Sequence, residues 1–268
     1  MASNTLAGVS YQFGTNPLTL SATRFILPTI VLILILKTRG LGLVLPKRIA
    51  VIPFILGLIT VIYTMALLHA IEVLPLAIAI LIFYLFPIFT GLMLAVFRWQ
   101  KLSLSMVMSG LIAFLGITLA LGAEFIDLDG WGIIYAVTAA IGLATVSVMS
   151  NRLMADENPL LIILYLSISS TLILVIVCLL KGGFVLPRTG GGWIIILISQ
   201  VFFAYAMIAF FTAISIIGAG ETTFFNNIEP IMAVGAGFLF LNQNLTILQY
   251  TGILIVILAL LYYGKKST

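Results

Sequence analysis

The chain reads as an all-α polytopic membrane protein, with ten helices arranged as two inverted repeats of five. Three observations carry this reading. Of its 268 residues, 63% are hydrophobic and only 7% are charged, a balance foreign to soluble domains. The apolar residues fall in runs of about 20, the length of a helix that crosses a bilayer. These runs are too many and too long for a signal peptide. Finally, the two halves match each other, in order, at a shift of 142 or 143 residues.

The elements follow from the apolar runs and their polar breaks. Residues 1–15 are mildly apolar and too short to span, so they read as the outer end of a first helix, one that either starts upstream of Met1 or is itself short. The second span covers 17–36. A basic loop with Lys37, Arg39, Lys47 and Arg48 separates it from the third, 49–70. The fourth, 74–97, contains Pro87, and a short loop with Arg98 and Lys101 leads to the fifth, 104–122. An acidic loop (Glu124, Asp127, Asp129) follows, then the sixth span, 130–150. A polar turn precedes the seventh, 159–180, and a glycine-rich loop the eighth, 193–215. The ninth is 218–241 and the tenth 246–263.

With the 37–48 loop in the cytoplasm, nine of the twelve basic residues fall on that side. The positive-inside rule then puts the C-terminus in the cytoplasm. The net charge of +4 is spread over short loops, which is no signature of nucleic-acid binding. The lone Cys178 allows no intrachain disulfide, and with one histidine there is no metal cluster to build. No cofactor is expected.

The repeat rests on collinear pairs. Asn16-Pro17 matches Asn158-Pro159, Ala70-Ile71 matches Ala213-Ile214, Pro87 matches Pro230, and Gly110 matches Gly252. Each half, 1–122 and 130–264, holds an odd number of helices, so the second enters the membrane upside down relative to the first. Inverted repeats are a transporter device, with the site at their interface.

The ninth span holds the candidate site. Its first half carries two carboxylates, two asparagines and two threonines, and polar groups at membrane depth face a bundle interior or a wet cavity. At 100° per residue, Thr222, Asn226, Glu229 and Ala233 share one face, continued by Gly218 and Gly237. Pro230 lacks the N–H that would bond the Asn226 carbonyl, so that carbonyl is expected to be free near mid-membrane. The competing reading is an Asn/Glu network that fastens helices together.

Glu229 is the candidate for substrate contact and proton coupling, since burial disfavours a carboxylate's charged form. Asn226 and Thr222 are candidates for binding polar ligand groups, or else pack. Tyr84 and Phe83, just before Pro87 on the matching span, offer aromatic stacking across a cavity, against plain bundle packing. Glu221 is a gate candidate or an interfacial residue. His69 and Glu72 are three apart and can pair, with His69 a candidate outer gate. Arg24, at the start of the second span, is expected to snorkel to the interface; its other reading is a counter-charge for an anionic ligand. The facing of Gln200 and Tyr205 is open.

On these motifs the chain resembles the EamA family of the drug/metabolite transporter superfamily. Ala2-Ser3-Asn4 is similar to the end of that family's first helix, and Pro17 through Arg24-Phe25 to its second-helix opening. Phe86-Pro87-Ile88 and Ile228-Glu229-Pro230-Ile231 are similar to its proline motif, the second more closely. Gln100 and Gln243 stand where the family pattern has glutamate. The resemblance implies ten helices, cytoplasmic termini, a plasma (bacterial inner) membrane location and a central cavity. It implies carriage of small metabolites such as amino acids, nucleobases or amphipathic compounds, often outward. The residues themselves add two expectations: one central carboxylate, Glu229, leans the substrate towards a zwitterion or cation and makes the proton a candidate coupling ion.

A membrane-embedded enzyme is the alternative, and it needs clustered acid–base or metal-binding residues. The chain offers one histidine, no phosphate loop and no His-Glu-x-x-His. A non-transporting sensor or scaffold needs a soluble effector segment, and the longest loop is about a dozen residues.

Overall fold

The computed structural model describes residues 10, 13–99, 104–122, 128–241 and 246–267. The expected first helix, Gln100, Gln243 and the acidic pair Glu124 and Asp127 lie outside the described residues, as do the side chains of Ala233 and Gly237. The described residues form helices and no strand: α1 (Pro17–Arg24), α2 (Ile26–Thr38), α3 (Lys47–Val73), α4 (Leu76–Phe83), α5 (Phe86–Val96), α6 (Leu104–Leu121), α7 (Gly130–Met154), α8 (Pro159–Leu180), α9 (Gly190–Ile217), α10 (Ala219–Phe225), α11 (Ile228–Leu241) and α12 (Ile247–Ser267). Among the described residues seven helices, counting α1–α2 and α4–α5 as one span each, are long and apolar enough to cross a membrane, and Val107–Leu121 is a shorter apolar one. Large apolar side chains stand exposed along them, among them Leu34, Val51, Ile194 and Leu258. On a soluble protein such a surface would be an aggregation hazard, but it suits lipid tails. The protein is an integral, multi-pass membrane protein.

Where one continuous span was expected at 17–36, 74–97 and 218–241, the structure has two helices each. The second span breaks at Phe25, three residues before Pro28, which falls in the first turn of α2. The fourth breaks at Tyr84–Leu85 and the ninth at Asn226–Asn227, each just ahead of Pro87 or Pro230. A proline lacks the N–H for the helical bond and its ring crowds the carbonyl four residues back, so at these three places the helix ends and restarts with the proline in its first turn, whereas Pro53 is accommodated inside α3.

Close contacts divide the chain into two compact units, residues 1–65 with 149–218, and residues 66–148 with 219–268. Each unit draws corresponding elements from both halves of the sequence, and the division falls inside α3 and α7.

In the first unit α1 and α2 pack on α8 and α9. Asn16 caps α1 by accepting from the Thr19 N–H at 2.7 Å, and Asn158 caps α8 by accepting from the Leu160 N–H at 3.0 Å. In both, a proline follows at the first helical position, so the matched Asn-Pro pairs of the repeat perform one local task. Gly57 of α3 lies against α8, where an added Cβ would stand 3.1 Å from the Leu166 carbonyl oxygen, and Ser170 donates to the Gly57 carbonyl at 3.2 Å. Small residues let helices approach closely where lipid supplies no hydrophobic drive for association.

In the second unit α12 packs along α6 more extensively than any other pair. Gly116 and Gly252 meet there, and a Cβ on Gly252 would lie 2.6 Å from the Gly116 carbonyl oxygen. Phe86, Ile117, Phe224 and Val256 fill the core beside this contact. α10 packs on α5, so the two proline-broken spans meet within this unit.

Candidate functional site

The candidate binding residues Glu229, Asn226, Thr222, Tyr84 and Phe83 and the gate candidates Glu221 and His69 all fall in the second unit. Glu229 opens α11 and is half-buried. Its Oε2 accepts from the Tyr84 hydroxyl at 2.7 Å and from Asn226 Nδ2 at 3.2 Å. The first of these bonds joins the break of the fourth span to the break of the ninth, across 145 residues of sequence. Tyr84 is 4% exposed and lies among aromatic neighbours, edge-on to Phe83 at 6.1 Å and tilted against Phe86 at 5.7 Å. Phe83 is half-buried and packs on Phe86 at 5.5 Å. The expected stacking pair thus divides its work. Phe83 belongs to the aromatic bed, while Tyr84 engages Glu229 directly.

The expected free carbonyl of Asn226 is not free. The Glu229 N–H turns back to it at 2.9 Å, a tighter i→i−3 bond that replaces the one Pro230 cannot make. The Asn226 N–H still bonds the Thr222 carbonyl at 3.1 Å, closing α10. Thr222 therefore sits one turn back along the same path. It is 6% exposed, and its Oγ1 has no hydrogen-bond partner among the described residues. Glu221 is half-buried in the first turn of α10. His69 does pair with Glu72, at 3.0 Å, with side chains 58% and 51% exposed, and its ring lies 5.7 Å from that of Tyr135.

A small, partly open cleft adjoins the two breaks, lined by residues that include Tyr84, Pro87, Gly110, Phe224 and Asn227. Tyr84 both lines this cleft and holds Glu229. Asn227, 3% exposed, was not among the residues singled out. The signal existed, because the shift that pairs Pro87 with Pro230 pairs Tyr84 with Asn227. Phe224 was also missed; its ring stacks on Tyr263 at 4.3 Å. No group of three or more His, Cys, Asp or Glu placed to hold a metal occurs among the described residues.

The chain matches the EamA-like transporter family over residues 1–122 and 130–264. It belongs to that family. EamA proteins form a branch of the drug/metabolite transporter superfamily. A curated relative, an uncharacterized transporter of Synechocystis sp., is 28% identical over 226 residues, which are 79% of this chain and 66% of the relative's length. A protein of known crystal structure superposes with a TM-score of 0.68 at 19% identity, covering 93% of this chain and 89% of its own. That likeness speaks to the EamA fold alone.

In the first unit the structure corrects one expectation. Arg24 does not snorkel to an interface. It is 9% exposed, at the last turn of α1, with its guanidinium carbon 4.5 Å from the centre of the Phe203 ring. Gln200, on the same helix as Phe203, is buried, whereas Tyr205 is 75% exposed and faces outward.

Proposed function

We propose that the protein is a secondary-active transporter of small metabolites, an exporter of amino acids, nucleobases or related amphipathic or cationic compounds, working by alternating access. The observation that carries this is the Tyr84–Glu229–Asn226 hydrogen-bonded group, held where two proline-broken spans of the repeat meet. Broken helices at corresponding positions of two halves are how transporters place backbone and side-chain polar groups at membrane depth. A carboxylate that accepts two hydrogen bonds there is a group that can exchange them for a ligand cation or a proton. In this reading Glu229 contacts substrate and couples the proton. Asn226, Thr222 and Tyr84 contribute polar contacts, Phe83 shapes the aromatic wall, and Glu221 and His69 act as gates. The C-terminus lies in the cytoplasm and the membrane is a bacterial inner membrane. The chain carries two EamA-like repeats, 1–122 and 130–264.

The test is counterflow in proteoliposomes against a panel of amino acids, amines, nucleosides and nucleobases, with Glu229→Gln in parallel. The expected result is uptake of at least one class by wild type, reduced about tenfold or more by Glu229→Gln, the scale of losing a hydrogen bond to a charged group. Wild-type rate and wild-type pH dependence in Glu229→Gln would sink the coupling role.

A further inference from the structure

The cleft beside the two breaks carries a polar group that the reading above leaves unused. Asn226 and Asn227 are consecutive at the break of the ninth span, and their side chains do different things. Asn226 donates its amide to Glu229 at 3.2 Å. Asn227, almost fully buried, lines the cleft. Its backbone N–H bonds the Phe224 carbonyl at 3.2 Å, whereas its side-chain amide has no hydrogen-bond partner among the described residues. Tyr84 lines the same cleft. Its hydroxyl proton goes to Glu229 Oε2, so Tyr84 Oη has only acceptor capacity left. Among the described residues of the wall none is charged, and most are apolar. Ile88 and Leu92 come from α5, Val107 and Leu111 from α6. Leu92, Val107 and Leu111 are also exposed, so the cleft opens on the apolar outer surface that suits lipid tails. Gly110 leaves it room, since a Cβ there would meet nothing nearer than Ile88 at 3.9 Å.

A buried amide without a partner is costly, and in a mostly apolar pocket a few placed polar groups decide which ligand is held. We infer that this cleft binds an uncharged amphiphile from the bilayer, a slim apolar chain that ends in a carboxamide. The head needs one acceptor and two donors to match the wall, and a carboxamide has one carbonyl and two N–H groups. Its carbonyl accepts from Asn227 Nδ2 and one N–H donates to Asn227 Oδ1, the edge-to-edge pair that two amides form. The second N–H donates to Tyr84 Oη. The chain lies along Ile88, Leu92, Val107 and Leu111. A charged head would find no counter-charge on this wall and would lose its hydration. The inference goes beyond the transport reading. It is read by binding alone and stands apart from the role of Glu229.

The test photolabels the full chain in lipid nanodiscs with a hexanamide whose chain carries a diazirine, and mass spectrometry maps the labelled residues. Label is expected on Ile88, Leu92, Val107 or Leu111, above the level on exposed apolar side chains of α9 such as Ile194 and Leu197. Unlabelled hexanamide competes for it. N,N-dimethylhexanamide keeps the chain and carbonyl but lacks both N–H groups, and hexanoate is charged; each competes about tenfold less well or worse. Asn227→Leu raises the probe concentration for half-maximal labelling about tenfold, the scale of losing two neutral hydrogen bonds. Gly110→Val does the same by filling the cleft at a position where added bulk has room, and it carries the test if Asn227→Leu does not fold. Label spread evenly over the exposed helices would overturn the inference. So would equal competition by hexanamide and N,N-dimethylhexanamide, or labelling left unchanged by either substitution.

Discussion

The hydrogen bond from Tyr84 to Glu229 can be weighed on its own with a double-mutant cycle. Tyr84→Phe removes the hydroxyl and keeps the ring on its aromatic bed. Glu229→Met removes the acceptor at similar side-chain length. A hydrogen bond to a charged group contributes roughly 1.5–3 kcal/mol, and a neutral pair about 1 kcal/mol. Polar couplings between membrane helices average about 0.6 kcal/mol and reach about 1.7 kcal/mol, because the unfolded chain in lipid also finds partners. The 2.7 Å length, the 4% exposure of Tyr84 and its packing on Phe83 and Phe86 place this pair at the upper end of that range. The expected coupling is about 1.5 kcal/mol, read as the non-additive part of the unfolding free energy in mild detergent. A coupling below about 0.5 kcal/mol would refute the idea that this bond joins the two breaks.

Four further outcomes follow from the packing and the local backbone geometry. Gly252→Ala should cost about 1–3 kcal/mol, since its Cβ would sit 2.6 Å from the Gly116 carbonyl oxygen and α12 must move off α6. Gly110→Ala, its repeat counterpart, meets only Ile88 at 3.9 Å and should leave the Tm essentially unchanged. Gly218 joins α9 to α10 at a φ of +90°, so Gly218→Ala should lower stability by about 1–3 kcal/mol in thermal unfolding monitored by circular dichroism. Asn16→Ala and Asn158→Ala should each cost about 1 kcal/mol by the same measurement, and alike, because the two asparagines cap equivalent helices.

Features that depend on near neighbours in the chain were legible from the sequence. The apolar runs located the spans, since a backbone in lipid must satisfy its own hydrogen bonds and does so as helix. The His69–Glu72 pair follows from helical spacing alone. Pro87 and Pro230 announced two disturbed helices at matching places, and Glu229 stood out as a carboxylate in an apolar run. What the structure decided is how each helix is turned about its own axis. In a soluble protein the polar stripe reveals that rotation, because water and core differ. In lipid the outside is as apolar as the inside, so α4 and α9 carry no stripe to read. Hence the burial of Arg24 against Phe203, the burial of Gln200 and the meeting of Tyr84 with Glu229 came only from tertiary packing. The Asn226 carbonyl shows the same limit at short range. Pro230 shows that one bond is missing, but only the turn geometry reveals that the Glu229 N–H replaces it.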